Sequence, residues 1–330
     1  MIRFFNVNNP SVAVFLFLFA IVLNAVVFVE PALYTLPQTN APFSRLFFSL
    51  TEFLFGNNRY ILAILSIILV VVQALMLNSL VNNAKLFERG TFVTAIIYLL
   101  CVSLFREFLF LSPALLSIAF IIPALGKTLR FFRQQRCYTE VFDMGFLIGI
   151  ASLFYKPAFL LIILLFVGLA VMRSFNWREW VIGLFGFLTI YFLTGTCLFM
   201  VDNLDSFVQS HIVTETPAAA NRSQTGLSLS VVIGYTGVLA TGGALIFLFN
   251  FLKSPVQARK FLLLMGWAAL LLALSSLFVS RVSLQHFVLL SVPLSIVICY
   301  LFMNIRRVKI ADWAYHFWLA AVLFFQYFKT

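Results

Sequence analysis

The residues best suited to chemistry in this chain sit at the ends of its apolar runs. Glu30 directly follows the first run. Arg106 and Glu107 interrupt Ser103-Leu104-Phe105-Arg106-Glu107-Phe108-Leu109-Phe110, and Lys156-Pro157 joins two apolar runs with no other polar linker. Ionisable groups at membrane depth are costly and face an aqueous cavity or a charged partner. A mixed acidic and basic cavity can hold an anionic head group while a carboxylate takes the proton of an acceptor hydroxyl. In that chemistry Lys156 and Arg106 bind phosphate, and Glu30 orients or deprotonates the hydroxyl. Glu107 positions Arg106 or acts in place of Glu30, and Arg222 and Arg281 are further phosphate contacts. A structural alternative stands beside it: Arg106 and Glu107 are adjacent and fit a tight wet turn, and Lys156 can snorkel to lipid phosphate at the interface.

Other chemistry finds little support. No H-E-x-x-H, G-x-S-x-G, dinucleotide or Cys-pair pattern occurs, so neither a metal nor a cofactor is expected. His211, His286 and His316 are widely spaced and read as structural or interfacial. Cys101, Cys137, Cys197 and Cys299 share no ligand spacing and read as small core residues. Asp143, near the start of an apolar run, suits a helix cap or a pair with Arg130, Arg133 or Arg136. Gly145 and Gly149 form a small-x-x-x-small face for close helix packing. Gly234, Gly237, Gly242 and Gly243 mark another run that packs tightly or bends.

The elements that must position these residues are membrane helices. Of 330 residues, 63% are hydrophobic and 10% charged, whereas soluble domains are about half apolar and about a quarter charged. Apolar runs of about 20 residues satisfy their backbone internally and read as spanning helices. The runs fall at 11–29, 60–82, 91–105, 109–126, 139–155, 157–172, 179–200, 227–249, 261–280, 286–303 and 311–327. The expectation is therefore an all-α polytopic membrane protein of about eleven transmembrane helices, forming one domain over residues 1–330. The run 11–29 reads as a first span rather than a cleaved signal, because Glu30-Pro31-Ala32-Leu33 is a poor cleavage site.

Positive charge sets an orientation. With the N-terminus inside, the inner set is Arg3, Lys85, Arg89, Lys127, Arg130, Arg133, Arg136, Arg173, Arg178, Lys253, Arg259, Lys260, Arg306, Arg307 and Lys309. That is 15 basic residues, against 7 outside: Arg45, Arg59, Arg106, Lys156, Arg222, Arg281 and Lys329. The excess puts the N-terminus in the cytoplasm and the C-terminus in the periplasm of a bacterial inner membrane. The net charge of +11 is spread over these loops rather than gathered in one patch, which argues against nucleic acid as a partner.

Two external segments exceed a turn, near 30–59 and 201–226. The second half of the first is apolar over most of a helical surface, with a narrow polar strip. It either lies on the membrane or packs over helix ends. The second can continue helically through Ile212 before Pro217 ends regular structure. Neither has room for a nucleotide-binding domain, so a self-contained ATP-driven pump is excluded. The inner segment 127–136 combines four basic residues with an apolar side and is expected at anionic lipid head groups. A secondary transporter or a noncatalytic scaffold with envelope protein partners remains open.

The whole chain resembles polytopic inner-membrane proteins of Bacteroidetes, a resemblance that implies no activity. Glu30 after the first helix, and Gly145 to Gly149 followed by Leu153-Phe154-Tyr155-Lys156-Pro157, also look like features of polyprenyl-phosphate-dependent membrane glycosyltransferases. That second resemblance covers about residues 1–200. It implies a multi-span helical fold, a lipid-phosphate sugar donor at an outer membrane-facing cavity, Glu30 as the acidic catalytic residue and Lys156 on the donor phosphate.

Overall fold

The computed structural model describes residues 11–25, 41–56, 58–87, 90–132, 136–212, 227–251, 253–278, 284–305 and 307–327. They are helical, with no strand among them. In chain order the α-helices are α1 (Ser11–Leu23), α2 (Pro42–Phe55), α3 (Arg59–Asn83), α4 (Val93–Val102), α5 (Pro113–Phe131), α6 (Tyr138–Phe154) and α7 (Leu161–Met172). They continue as α8 (Trp177–Met200), α9 (Leu204–Ile212), α10 (Leu227–Asn250), α11 (Val256–Leu274), α12 (Ser291–Asn304) and α13 (Val308–Tyr327). Among the described residues four 3-10 segments interrupt them: Arg106–Phe108, Lys156–Leu160, Ser275–Phe278 and Leu284–Leu290.

Among the described residues six helices are long and apolar enough to cross a membrane: Arg59–Asn83, Pro113–Phe131, Trp177–Met200, Ile233–Asn250, Val256–Leu277 and Leu284–Asn304. Val14–Leu23, Val93–Val102 and Lys156–Met172 are apolar but shorter. The molecule thus has the character of an integral membrane protein, and its outer surface agrees. Phe192, Phe249 and Trp313 are each more than 70% exposed, a pattern lipid tolerates and water does not.

The run 91–105 shows why length and hydropathy part company. Its helix, α4, has only ten residues, and every one of them is buried. It packs between α3 and α12 at the centre of the bundle. Tyr98 OH donates to Gln73 Oε1 at 2.8 Å, and the Thr94 hydroxyl lies 3.3 Å from Cys299 Sγ. After α4 the backbone runs irregularly to Ser112, whose side chain caps α5 by accepting from Leu115 N–H. Irregular backbone at membrane depth must find partners inside the protein, and it does. Gln326 Nε2 donates to the Ser103 carbonyl and Ser66 Oγ to the Leu109 carbonyl, each at 2.5 Å, while Gln73 Nε2 donates to the Leu115 carbonyl in the first turn of α5 at 2.7 Å.

The tightest helix pair is α6 on α8. A Cβ on Gly145 would fall on the Gly183 carbonyl oxygen, and one on Gly186 would fall on the Phe142 carbonyl. The small-residue face expected on α6 is therefore met by a second one on α8, at Gly183 and Gly186. On α10 only part of the expectation holds. Gly243 sits against the Val297 backbone of α12, whereas a Cβ on Gly234 or Gly237 would meet nothing within 4 Å.

The amphipathic segment forms α2, with Pro42 in its first turn. It turns Ser44, Phe48 and Thr51 inward and leaves Leu46, Leu50 and Phe53 exposed. Ser44 Oγ donates to the Phe154 carbonyl at 2.6 Å, and Phe43 meets the Phe154 ring edge-on at 5.6 Å. The helix thus packs over the end of α6 while its apolar side faces outward. Residues 204–212 are helical, as expected, and 213–226 lie outside the described residues.

Candidate functional site

The four 3-10 segments gather at one end of the bundle. Arg106–Phe108 packs against Leu284–Leu290, and Lys156–Leu160 packs against Ser275–Phe278. Local chemistry explains two of these breaks. Pro157 lacks the N–H that would continue α6, and Ala158 N–H bonds to the Tyr155 carbonyl at 2.9 Å instead. At Arg106–Phe108 the chain turns on a bond from Phe108 N–H to the Phe105 carbonyl at 3.1 Å. The α2 helix, seated on Phe154, borders the same end.

His286 ties three of the segments together. Its side chain is buried, with Nδ1 2.8 Å from Tyr155 OH and Nε2 3.1 Å from Ser275 Oγ. Ser275 Oγ also donates to the Leu272 carbonyl at 2.6 Å, so its oxygen is left to accept. The consistent assignment is a neutral imidazole that donates from Nε2 to Ser275 and accepts at Nδ1 from the Tyr155 hydroxyl. Both ring nitrogens are occupied. His286 is thus a clamp that fixes Tyr155, and with it the adjacent Lys156, against the segments at 275–278 and 284–290.

The residues expected to carry chemistry divide accordingly. Lys156 and Glu107 are both half-buried, on two segments that His286 and its partners join into one cluster. The Arg106 backbone lies in the same turn as Glu107, and its side chain lies outside the described residues. Glu30, Arg222 and Arg281 also lie outside them. His286, Tyr155 and Ser275 were not expected as a group. The available signal was a Tyr immediately before Lys156 and single polar residues inside apolar runs.

The opposite end holds its own charged contacts. Among the described residues Asp143 pairs with Lys127 Nζ at 2.5 Å, in place of the expected cap or a pair with Arg130 or Arg136; Arg133 lies outside the described residues. The first-turn carboxylate of α6 is Glu140. Arg173 donates from Nη1 to Cys137 Sγ at 2.5 Å and places Nη2 3.4 Å from the buried Glu179 carboxylate. Burial, with Glu179 nearby, pushes the Cys137 thiol above its ordinary range against the opposing pull of Arg173. The four cysteines are free; Cys101, Cys137 and Cys299 are buried as core residues, but Cys197 is exposed on α8. The apolar side of 127–136 also departs from expectation. Phe131 is buried in the core, and Lys260 Nζ stands 5.4 Å over the Phe132 ring. Comparison of the chain with protein-family models, with curated proteins and with solved structures finds no match to any of them.

Proposed function

We propose that the chain crosses a bacterial inner membrane eleven times, N-terminus cytoplasmic and C-terminus periplasmic, and binds a polyprenyl-linked phosphate at its outward end. The observation that carries the reading is the cluster of helix breaks that includes Glu107 and Lys156. Charged residues on broken helices at one end of an apolar bundle suit an anionic head group whose tail stays in lipid. The crossing number draws support from the 3-10 segments, which rise about 2 Å per residue. With five 3-10 residues and twelve α-helical ones, Lys156–Met172 reaches about 28 Å, close to the hydrocarbon thickness of about 30 Å. Introduced cysteines in 127–136 and 205–225 should label from opposite sides of the membrane. Labelling from one side only defeats this topology.

Glycosyl transfer is the reaction this proposal assigns to the site. The acceptor hydroxyl oxygen attacks the sugar's anomeric carbon, the bond from that carbon to the phosphate oxygen breaks, and the polyprenyl phosphate leaves with the electron pair. Glu30 takes the hydroxyl proton, or Glu107 does. Lys156 and Arg106 hold the leaving phosphate, with Arg222 and Arg281 as outer contacts. In lipid, Lys156→Ala should weaken polyprenyl-phosphate binding about fivefold or more, while Lys85→Ala, exposed near the opposite end of the bundle, should not. Product formation from a defined lipid-linked sugar should need the protein and fall after Glu30→Gln. Binding without turnover across donors and acceptors removes the enzyme and leaves the site. A noncatalytic envelope scaffold is the second reading, favoured by the way His286 spends both nitrogens on internal bonds.

A further inference from the structure

A cleft of about 360 Å³ opens between α10, α11 and α12, away from the cluster of helix breaks. Its walls are apolar: Gly243 and Phe247 from α10, Leu263, Gly266 and Trp267 from α11, and Val297 from α12. Gly266 carves it, since a Cβ there would meet nothing within 4 Å. Leu248 and Trp267, at 65% and 43% exposure, leave it open to the surrounding lipid.

An apolar wall in a bilayer gains nothing by exchanging one acyl chain for another, so selectivity must come from a polar end. This cleft has one. On α11, Arg259, Leu263, Gly266 and Leu270 follow one another at helical spacing, so Arg259 continues the wall by one turn. Gly243 and Phe247 do the same on α10, and Phe251 follows just past its end. The two stripes meet where the Arg259 guanidinium stands 4.9 Å over the Phe251 ring. Phe251 packs on Phe247, and Phe247 packs on Tyr300, whose hydroxyl lies 3.1 Å from Ser254 Oγ. Lys253 is exposed beside them. Lys260 is turned away, donating to the Met172 carbonyl at 3.4 Å. The chain has no Asp or Glu from Thr216 to Ala311, so α10, α11 and α12 supply no carboxylate to neutralise Arg259. Arg is also the side chain whose forked donors match a phosphate.

We infer that this cleft is a binding site for one anionic phospholipid, with an acyl chain along Gly266 and the head-group phosphate at Arg259, Lys253 and the Ser254 and Tyr300 hydroxyls. It is independent of the outward-end proposal and survives if that one fails.

Native mass spectrometry of the full chain, purified with dioleoyl-phosphatidylglycerol or dioleoyl-phosphatidylcholine, tests it. The wild type should retain one phosphatidylglycerol in preference to phosphatidylcholine. Arg259→Gln should cut that preference about fivefold, Arg259→Lys should restore part of it, and Lys309→Gln on α13 should leave it unchanged. Gly266→Leu should fill the cleft and abolish retention. If Gly266→Leu fails to fold, Arg259→Gln and Arg259→Lys decide the question. Equal retention of the two lipids, retention indifferent to Arg259→Gln, or a second protein chain held in place of lipid each overturns the site.

Discussion

Gly145→Leu should deplete the folded protein, whereas Gly234→Leu should leave it near wild-type abundance. The two substitutions add the same atoms to a helix and make the same gain in helix propensity, so their difference isolates packing. At Gly145 the new Cβ falls on the Gly183 carbonyl and lies 3.0 Å from the Phe187 nitrogen. These are backbone atoms and cannot swing aside, so α6 and α8 must part. Overpacking of flexible cores costs about 1–3 kcal/mol, and a collision with backbone belongs at the top of that range or above. Gly186→Leu should behave alike, because its Cβ meets the Phe142 backbone. At Gly234 the space is open, and the change should stay within about 0.5 kcal/mol. Thermal midpoints of detergent-extracted protein, read by size-exclusion chromatography, check the pair. A wild-type midpoint for Gly145→Leu would refute the close α6–α8 approach.

The α6 face was legible because its two glycines lie four apart on one helix. Its partner was not, since which residue of α8 meets Gly145 depends on a tertiary approach that no local spacing encodes. The same limit applied to α4. Hydropathy records that 91–105 is apolar but not whether lipid or protein surrounds it. Here it is protein on every side, so a ten-residue helix suffices and Ser66 and Gln326 supply partners to the irregular backbone that follows it. The α2 helix was legible from its narrow polar strip, but its seat was not, because the Ser44 bond reaches a carbonyl 110 residues away.

The candidate site followed the same division. A charge inside an apolar run is a local signal, so Glu107 and Lys156 stood out at once. The clamp that joins their segments bonds His286 to Tyr155, 131 residues earlier, and to Ser275, eleven residues earlier across a helix break. Neither is a contact between neighbours on one continuous helix, since the chain breaks between Ser275 and His286. Asp143 shows a subtler failure. With residues 127–136 read as an amphipathic segment at the lipid head groups, its arginines stood as the partners for Asp143. In fact α5 runs on to Phe131, and that rigid helix presents Lys127 to α6.

Arg173→Met should cost more than removing both members of its ion pair. The Glu179 carboxylate is 2% exposed and has Arg173 Nη2 at 3.4 Å as its counter-charge. Taking away one partner of a buried pair costs about 3–5 kcal/mol, because a lone carboxylate then stays out of water. Glu179→Gln should be milder, since Arg173 keeps the Cys137 contact and is the more exposed partner. The double variant Arg173→Met/Glu179→Leu should recover much of the single loss, because replacing a buried pair with apolar groups is often neutral. A single-variant deficit that the double variant repeats in full would mean that Arg173 acts through packing and the Cys137 bond, not through the charge of Glu179.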